Sequence, residues 1–259
     1  MKNITIILPV HRIEESYRVM FENAVKSVEQ FHNDVKLMIV CPPNVKSEFA
    51  NISDVLEFEV ITNNTKTDFC SQVNLGIEKC DTEWFSILEV DDEYKSIWLK
   101  SINEYVKTYN DIDVFLPVVK DINPEGNFVS FTNESTWAYG FTEKQGVLDN
   151  EVLLDFQNYQ ISGGLYKTQV VKDNGLLKDN IKLTFGYEFL LRLTHNNVKI
   201  MTVPRVGYQH LNFREDSLFW SYKNDDTNKV TEDEAKFWLE TAKKEFFFKN
   251  KRDVNYEVV

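Results

Sequence analysis

The stretch that most constrains this chain is Trp84-Phe85-Ser86-Ile87-Leu88 with its sequel, Glu89-Val90-Asp91-Asp92-Glu93. A short, largely apolar run of that kind reads as a buried strand. It ends abruptly in four carboxylates, a crowding that does nothing for stability. In an open α/β sheet the carboxyl ends of the strands border the ligand crevice, so the acids fall where a cation and an anionic ligand would sit. Hard oxygen donors at alternate positions suit Mg²⁺ or Mn²⁺, which take further ligands from water and substrate phosphates. The competing reading is a solvated acidic turn entering a helix near Lys95, where carboxylates also favour the positive end of the helix dipole.

With 259 residues the chain is long enough for one large α/β domain or two small ones. Its formal net charge of -12 argues against a general electrostatic grip on nucleic acid or anionic lipid, which requires clustered Lys and Arg. Cys41, Cys70 and Cys80 lack zinc-type spacing and cannot all pair, so a reducing cytoplasm is expected. The apolar start, Ile4 to Leu8, stops at Pro9 and runs directly into His11, Arg12, Glu14 and Glu15, unlike a signal peptide. No apolar run reaches the roughly 18 residues of a membrane span.

Along the chain, Ile4 to Leu8 predicts a buried parallel strand ended by Pro9-Val10-His11. Tyr17, Phe21, Ala24, Val25 and Val28 recur at helical spacing. Strands are expected at Val35 to Val40 and Phe58 to Ile61, a helix at Phe69 to Lys79, and then the acidic strand. That alternation is the signature of a doubly wound sheet, whose right-handed crossovers bring the strand ends to one edge. Further on, a helix is expected at Ile97 to Tyr109, strands at Val114 to Val119 and Val198 to Val203, and helices from Thr184 and Thr231. Lys120 to Gln160 reads as a long acceptor-side insertion. In Ile161-Ser162-Gly163-Gly164-Leu165-Tyr166, small residues permit either a close backbone approach to a ligand or a tight turn.

Five blocks in order, ITIILPVHR, SQVNLGIEKC, WFSILEVDDEY, GYEFLLRL and VPRVGYQHLNFREDS, make residues 3 to 217 resemble the family 2 glycosyltransferases of the GT-A fold. The resemblance implies a GT-A, Rossmann-like, mostly parallel twisted sheet flanked by helices. It also implies a nucleotide-sugar donor, UDP-linked by default, a Mn²⁺ or Mg²⁺ cofactor, and inverting transfer to a hydroxyl of a glycan, lipid-linked or other acceptor. The expected organisation is a glycosyltransferase domain over 1–220, split into a nucleotide-binding half (1–105) and an acceptor half (106–220), with a C-terminal helical extension at 221–259.

Position by position, Pro9, Val10 and His11 match the segment lining base and ribose, and Asn74 lies in the block ahead of the acidic strand. Glu89-Val90-Asp91-Asp92 matches the D-x-D-D motif with Glu for the first Asp. Glu89 then serves the donor, Asp91 the metal, and Asp92 assists catalysis or caps the next helix. His210 matches a position that some members use for metal or diphosphate, against the ordinary reading of a loop histidine. Arg214 would meet phosphate oxygens, against a surface salt bridge with Glu215 or Asp216.

Two positions depart from the pattern. The Glu-Asp pair that normally supplies the base deprotonating the acceptor falls on Phe185-Gly186, leaving Glu188 as the nearest replacement. An i,i+4 ion pair with Arg192 is the alternative for Glu188, and Asp179 and Asp173 are further candidates. Cys41-Pro42-Pro43-Asn44 stands where relatives carry base-reading acids. A domain that binds nucleotide-sugar or glycan without turnover, and a nucleotidyltransferase, are the rival functions. The latter lacks a Gly-rich phosphate loop near the first strand. In the C-terminal helix, Phe237, Trp238, Phe246, Phe247 and Phe248 interleave with Lys236, Lys243, Lys244, Lys249, Lys251 and Arg252. That face would pack onto the domain or a homodimer partner, or attach the protein peripherally to a membrane.

Overall fold

A computed structural model describes residues 2–13, 15–49, 52–142, 144–226 and 229–250. Its elements run β1 (Ile4–Pro9), α1 (Glu15–Glu29), β2 (Val35–Cys41), β3 (Phe58–Thr62), α2 (Phe69–Lys79), β4 (Trp84–Ile87), β5 (Glu93–Tyr94) and α3 (Trp98–Thr108). They continue through β6 (Val114–Ile122), β7 (Phe128–Thr132), β8 (Val147–Leu148), α4 (Asn150–Asp155), β9 (Leu165–Lys167) and α5 (Thr168–Asn174). The chain closes with α6 (Phe185–His195), β10 (Ile200–Leu211), α7 (Leu218–Asn224) and α8 (Glu232–Asn250).

One sheet carries them in the order β3-β2-β1-β4-β9-β6-β10-β5, with β7 on β6 and β8 on β10. The fold is thus mixed α/β with helices on both faces of a central sheet. β1 and β4 are buried along their whole length because both faces are covered, which is why they are nearly continuous apolar runs. On one face α1 buries Tyr17, Phe21, Ala24, Val25 and Val28; on the other α2 buries Cys70, Val73 and Ile77. Gly76 lets α2 approach β1 closely, since a Cβ there would lie 2.5 Å from the Ile7 side chain.

The sheet is mixed, with the antiparallel pairs set by its shorter strands. β9 pairs antiparallel with both β4 and β6, and β5 antiparallel with β10. The last long strand also continues beyond Val203 to Leu211. Register shifts between Val203 and Val206 and again before Tyr208 accommodate Pro204, which cannot donate to a ladder. The long section from Lys120 is not a bare loop, for it contains the end of β6 together with β7, β8 and α4.

α8 packs against α4 and α6, with Ala242 and Phe246 in the core and the Phe246 ring 5.5 Å from that of His195. Burying a side chain the size of Phe246 contributes about 2 kcal/mol. Phe237 is 60% exposed on the same helix. Lys251 and Arg252, part of the expected basic face, lie outside the described residues. Among the described residues no helix is long and apolar enough to cross a membrane.

Candidate active site

Between Leu88 and Tyr94 the buried chain turns instead of running on as a strand. Leu88 N–H still donates to the Ile7 carbonyl at 2.9 Å, but Asp92 N–H then reaches back to the Glu89 carbonyl at 3.2 Å. β5 follows at once and pairs with β10, aligning Tyr94 with Tyr208 and Glu93 with Gln209. This pairing brings His210 against Asp92. His210 Nδ1 lies 3.1 Å from both carboxylate oxygens, and Leu211 N–H donates to Oδ1 at 2.9 Å.

Glu89 completes the cluster from the far side of the turn. Its carboxylate accepts from Ser162 Oγ at 2.7 Å and from Gln160 Nε2 at 3.5 Å, and its N–H donates to the Tyr208 hydroxyl at 3.0 Å. The turn carrying Ser162 holds Gly163 at φ 76°, where a Cβ would meet Tyr208 at 2.5 Å. Here the small residues bring the backbone up to Tyr208 and to Trp98, whose Nε1 donates to the Gly163 carbonyl at 2.8 Å. Asp121 stands across from His210 on β6, buried, accepting a 2.8 Å bond from Ser130.

Ligand atoms of Glu89, Asp92 and His210 all lie within 4.8 Å of one another. Two carboxylates and an imidazole form a donor set that suits Mn²⁺ or Mg²⁺. The electrostatics point the same way. Burial and repulsion from Asp92 push the Glu89 carboxyl up to about 7 and the Asp91 carboxyl up to about 6. For His210, burial alone would favour the neutral ring, but Asp92, Glu89 and Asp91 outweigh it and raise the imidazole to about 10. The cluster therefore gathers protons to offset its crowded negative charge, and a divalent cation would replace them.

Asp91 points into the cavity wall beside this cluster, its Oδ2 3.4 Å from Arg214. The group whose ligand atoms converge thus contains Asp92 where Asp91 was expected. Arg214 also pairs with Asp216 at 3.2 Å, and its guanidinium lies 4.6 Å from the Tyr17 ring centroid. Arg12 covers the same ring at 4.4 Å and donates to the Asp216 carbonyl at 2.8 Å, pinning the segment after β10 onto α1.

Glu89, Asp91, His210 and Arg214 line a cavity of about 480 Å³ at the carboxyl edge of the sheet, a size suited to a small-molecule ligand, with Asp92 buried behind them. Pro9 and His11 line it, and His11 is held neutral, its pKa lowered to about 4 by burial and by Arg12 and Arg214. Val10 does not share that wall. Its side chain is fully buried in the core, as the alternation of an extended strand requires.

Two other expected residues also lie elsewhere. Asn74 faces the loop before α6, its amide donating to the Leu177 carbonyl at 2.7 Å and accepting from Leu177 N–H at 2.9 Å. Glu188 is 2% exposed and does not line the cavity. Its oxygens hold Arg192 Nε at 2.9 Å, Arg192 Nη2 at 3.1 Å and Lys178 Nζ at 2.8 Å, which ties the carboxylate into a nearly buried ion-pair cluster away from the cavity. Asp179 is engaged by Lys66 and Ser71, and Asp173 accepts from Gln169 at 2.8 Å. Ser162, Gln160 and Asp121 escaped sequence reasoning. Only the small-residue turn hinted at Ser162, and strand register, invisible in one sequence, places Asp121.

The family model for glycosyl transferase family 2 matches residues 6–162. Among solved structures, Staphylococcus aureus TarS 1–349 superposes over 100% of this chain and 76% of its own, at TM-score 0.60 and 13% identity. The same fragment in complex with UDP-GlcNAc gives 100% and 77% coverage, 13% identity and TM-score 0.60. The mannosyltransferase PcManGT from Pyrobaculum calidifontis, in complex with GDP-Man and Mn²⁺, gives 83% and 58% coverage, 9% identity and TM-score 0.60. No curated protein matches the sequence. At these identities the structural likeness speaks to the fold.

Proposed function

Since the chain belongs to glycosyl transferase family 2 and is a glycosyltransferase, we propose that it moves a sugar from a nucleoside-diphosphate donor to an acceptor oxygen with inversion, assisted by a divalent cation. The observation that carries the reading is the convergence of Glu89, Asp92 and His210 beside one cavity, whose lining includes Glu89, His210, Asp91 and Arg214. Pro9 and His11 flank the base and ribose, and the neutral His11 ring offers a hydrogen bond there without adding charge. Glu89, oriented by Ser162 and Gln160, and Asp92, oriented by Leu211 N–H and His210, would hold the cation. When bound, that cation stabilises the charge developing on the diphosphate leaving group. Arg214 is within reach to exchange Asp91 for phosphate oxygens, which frees Asp91 for the cation.

UDP is the proposed donor nucleotide, supported by the UDP-GlcNAc complex of TarS, while the GDP-Man complex of PcManGT marks the alternative. Mn²⁺ is favoured over Mg²⁺ by the imidazole in the donor set. Residues 1–105 supply the donor side and 106–220 the acceptor side, and the C-terminal segment lends Leu239 to the cavity wall. A thermal-shift panel of UDP, GDP, ADP and CDP with and without Mn²⁺ tests the reading. One nucleotide should raise the melting temperature, and Mn²⁺ should enlarge that rise. No response to any nucleotide would refute it.

A further inference from the structure

The core positions of α1 are filled by Phe21, Ala24, Val25 and Val28 and, one turn earlier, by Tyr17. Tyr17 alone of these carries a polar atom, and it is fully buried. A hydroxyl is costly to bury unless it is hydrogen-bonded, so its partners show what it is there for. It donates to the Asp216 carbonyl at 2.7 Å and accepts from Nη2 of Arg12 and, at 3.2 Å, from Nη2 of Arg214. Both guanidiniums also lie over its ring. Of the two, Arg214 lines the cavity. Its Nη1 donates to the Met20 sulfur at 3.0 Å, its Nε lies 3.2 Å from an Asp216 carboxylate oxygen, and its Nη2 lies 3.4 Å from Asp91 Oδ2. Asp91 is the only one of these partners that shares the cavity wall.

Nη2 of Arg214 has two hydrogens, and the contacts divide them: one serves the Tyr17 hydroxyl behind, the other faces Asp91 in front. Resting on the sugar-transfer reading above, in which Arg214 exchanges Asp91 for phosphate oxygens, we infer that Tyr17 is a positioning residue for the donor. Its hydroxyl anchors the inner side of the guanidinium, so that the outer side is already aimed when the terminal phosphate of a nucleoside diphosphate arrives. An untethered arginine would have to give up its rotamer freedom at the moment of binding, and the anchor removes that cost. Arg12 completes the device, holding the same hydroxyl and the Asp216 carbonyl and so keeping the segment that carries Arg214 on α1.

The test is calorimetric titration of the full chain, with Mn²⁺, by the nucleoside diphosphate selected in the panel and by the matching monophosphate. Wild type is compared with Tyr17→Phe, Arg214→Ala and the double variant. Phe keeps the ring against which both guanidiniums and His11 pack, and removes only the hydroxyl. Tyr17→Phe should weaken the diphosphate about tenfold and leave the monophosphate within about twofold, the loss of one charge-assisted hydrogen bond's aim. Added to Arg214→Ala it should cost nothing further, because it acts through that residue. Phe21→Leu, a core change elsewhere on α1, should lower the melting temperature without altering the ratio of the two affinities. Unchanged diphosphate binding by Tyr17→Phe, equal weakening of both nucleotides, additive losses in the double variant, or the same altered ratio in Phe21→Leu overturns the inference alone. Undiminished diphosphate binding by Arg214→Ala overturns it together with the place given to Arg214 above. Absence of nucleotide binding by the wild type removes the sugar-transfer reading itself.

Discussion

Replacing Asp92 by Asn separates its part in folding from its part in holding a cation. Asn keeps the volume and still accepts the 2.9 Å bond from Leu211 N–H, but it removes the charge facing His210. Losing a charged hydrogen-bond partner costs about 1.5–3 kcal/mol. Against this stands relief of the repulsion that raises Glu89 and Asp91, so the metal-free variant should melt within a few degrees of wild type. Cation binding should suffer far more. A ligand at 100 times its Kd stabilises by about 2.7 kcal/mol, and a 10- to 100-fold loss of affinity cuts that to about 1.4–0.4 kcal/mol. With roughly 2–4 °C per kcal/mol for a domain of this size, a Mn²⁺ shift of about 5–10 °C should fall to about 1–5 °C. Differential scanning fluorimetry across a Mn²⁺ titration reads both numbers. A variant with an undiminished Mn²⁺ shift would show that Asp92 is no ligand.

Glu188→Ala should lower the melting temperature sharply, by about 3 kcal/mol of stability or more, because it strands Arg192 behind a nearly buried site. Nucleotide affinity should be unchanged, and a selective loss of turnover with normal melting would restore Glu188 as the base. Gly163→Ala should cost at least about 1–3 kcal/mol for its left-handed backbone, with more from the contact with Tyr208, and should weaken nucleotide binding through Glu89. Near-wild-type melting and binding would refute that. The folded-state pKa of His11, about 4 against 6.5 for the ordinary ring, means the unfolded chain binds more protons between those values. Its contribution is present above pH 6.5 and is lost as pH falls toward 4. Urea unfolding of His11→Gln should therefore show a shallower loss over that window, and an unchanged slope would contradict the assignment.

The first half of the fold was legible because its strands are covered on both faces and its helices on one, so periodicity carries the signal. The second half was less so. β9 enters the sheet antiparallel on three residues, and β10 passes Pro204 through a bulge, both settled by tertiary pairing and not by local composition. The acids were legible as a cluster, but not which of them converge. Alternation would group Glu89 with Asp91, whereas the turn after Leu88 brings residues three apart together and pairs Glu89 with Asp92. The spacing of Glu188 and Arg192 did announce their ion pair.

The central claim is that the carboxylates beyond β4 and the imidazole of His210 share a divalent cation facing a diphosphate. Crystals grown with UDP and Mn²⁺ and measured at the manganese absorption edge test it most directly. The account predicts an anomalous peak between Glu89, Asp92 and His210, touching the diphosphate. A diphosphate bound in the cavity with no manganese at that cluster would contradict it.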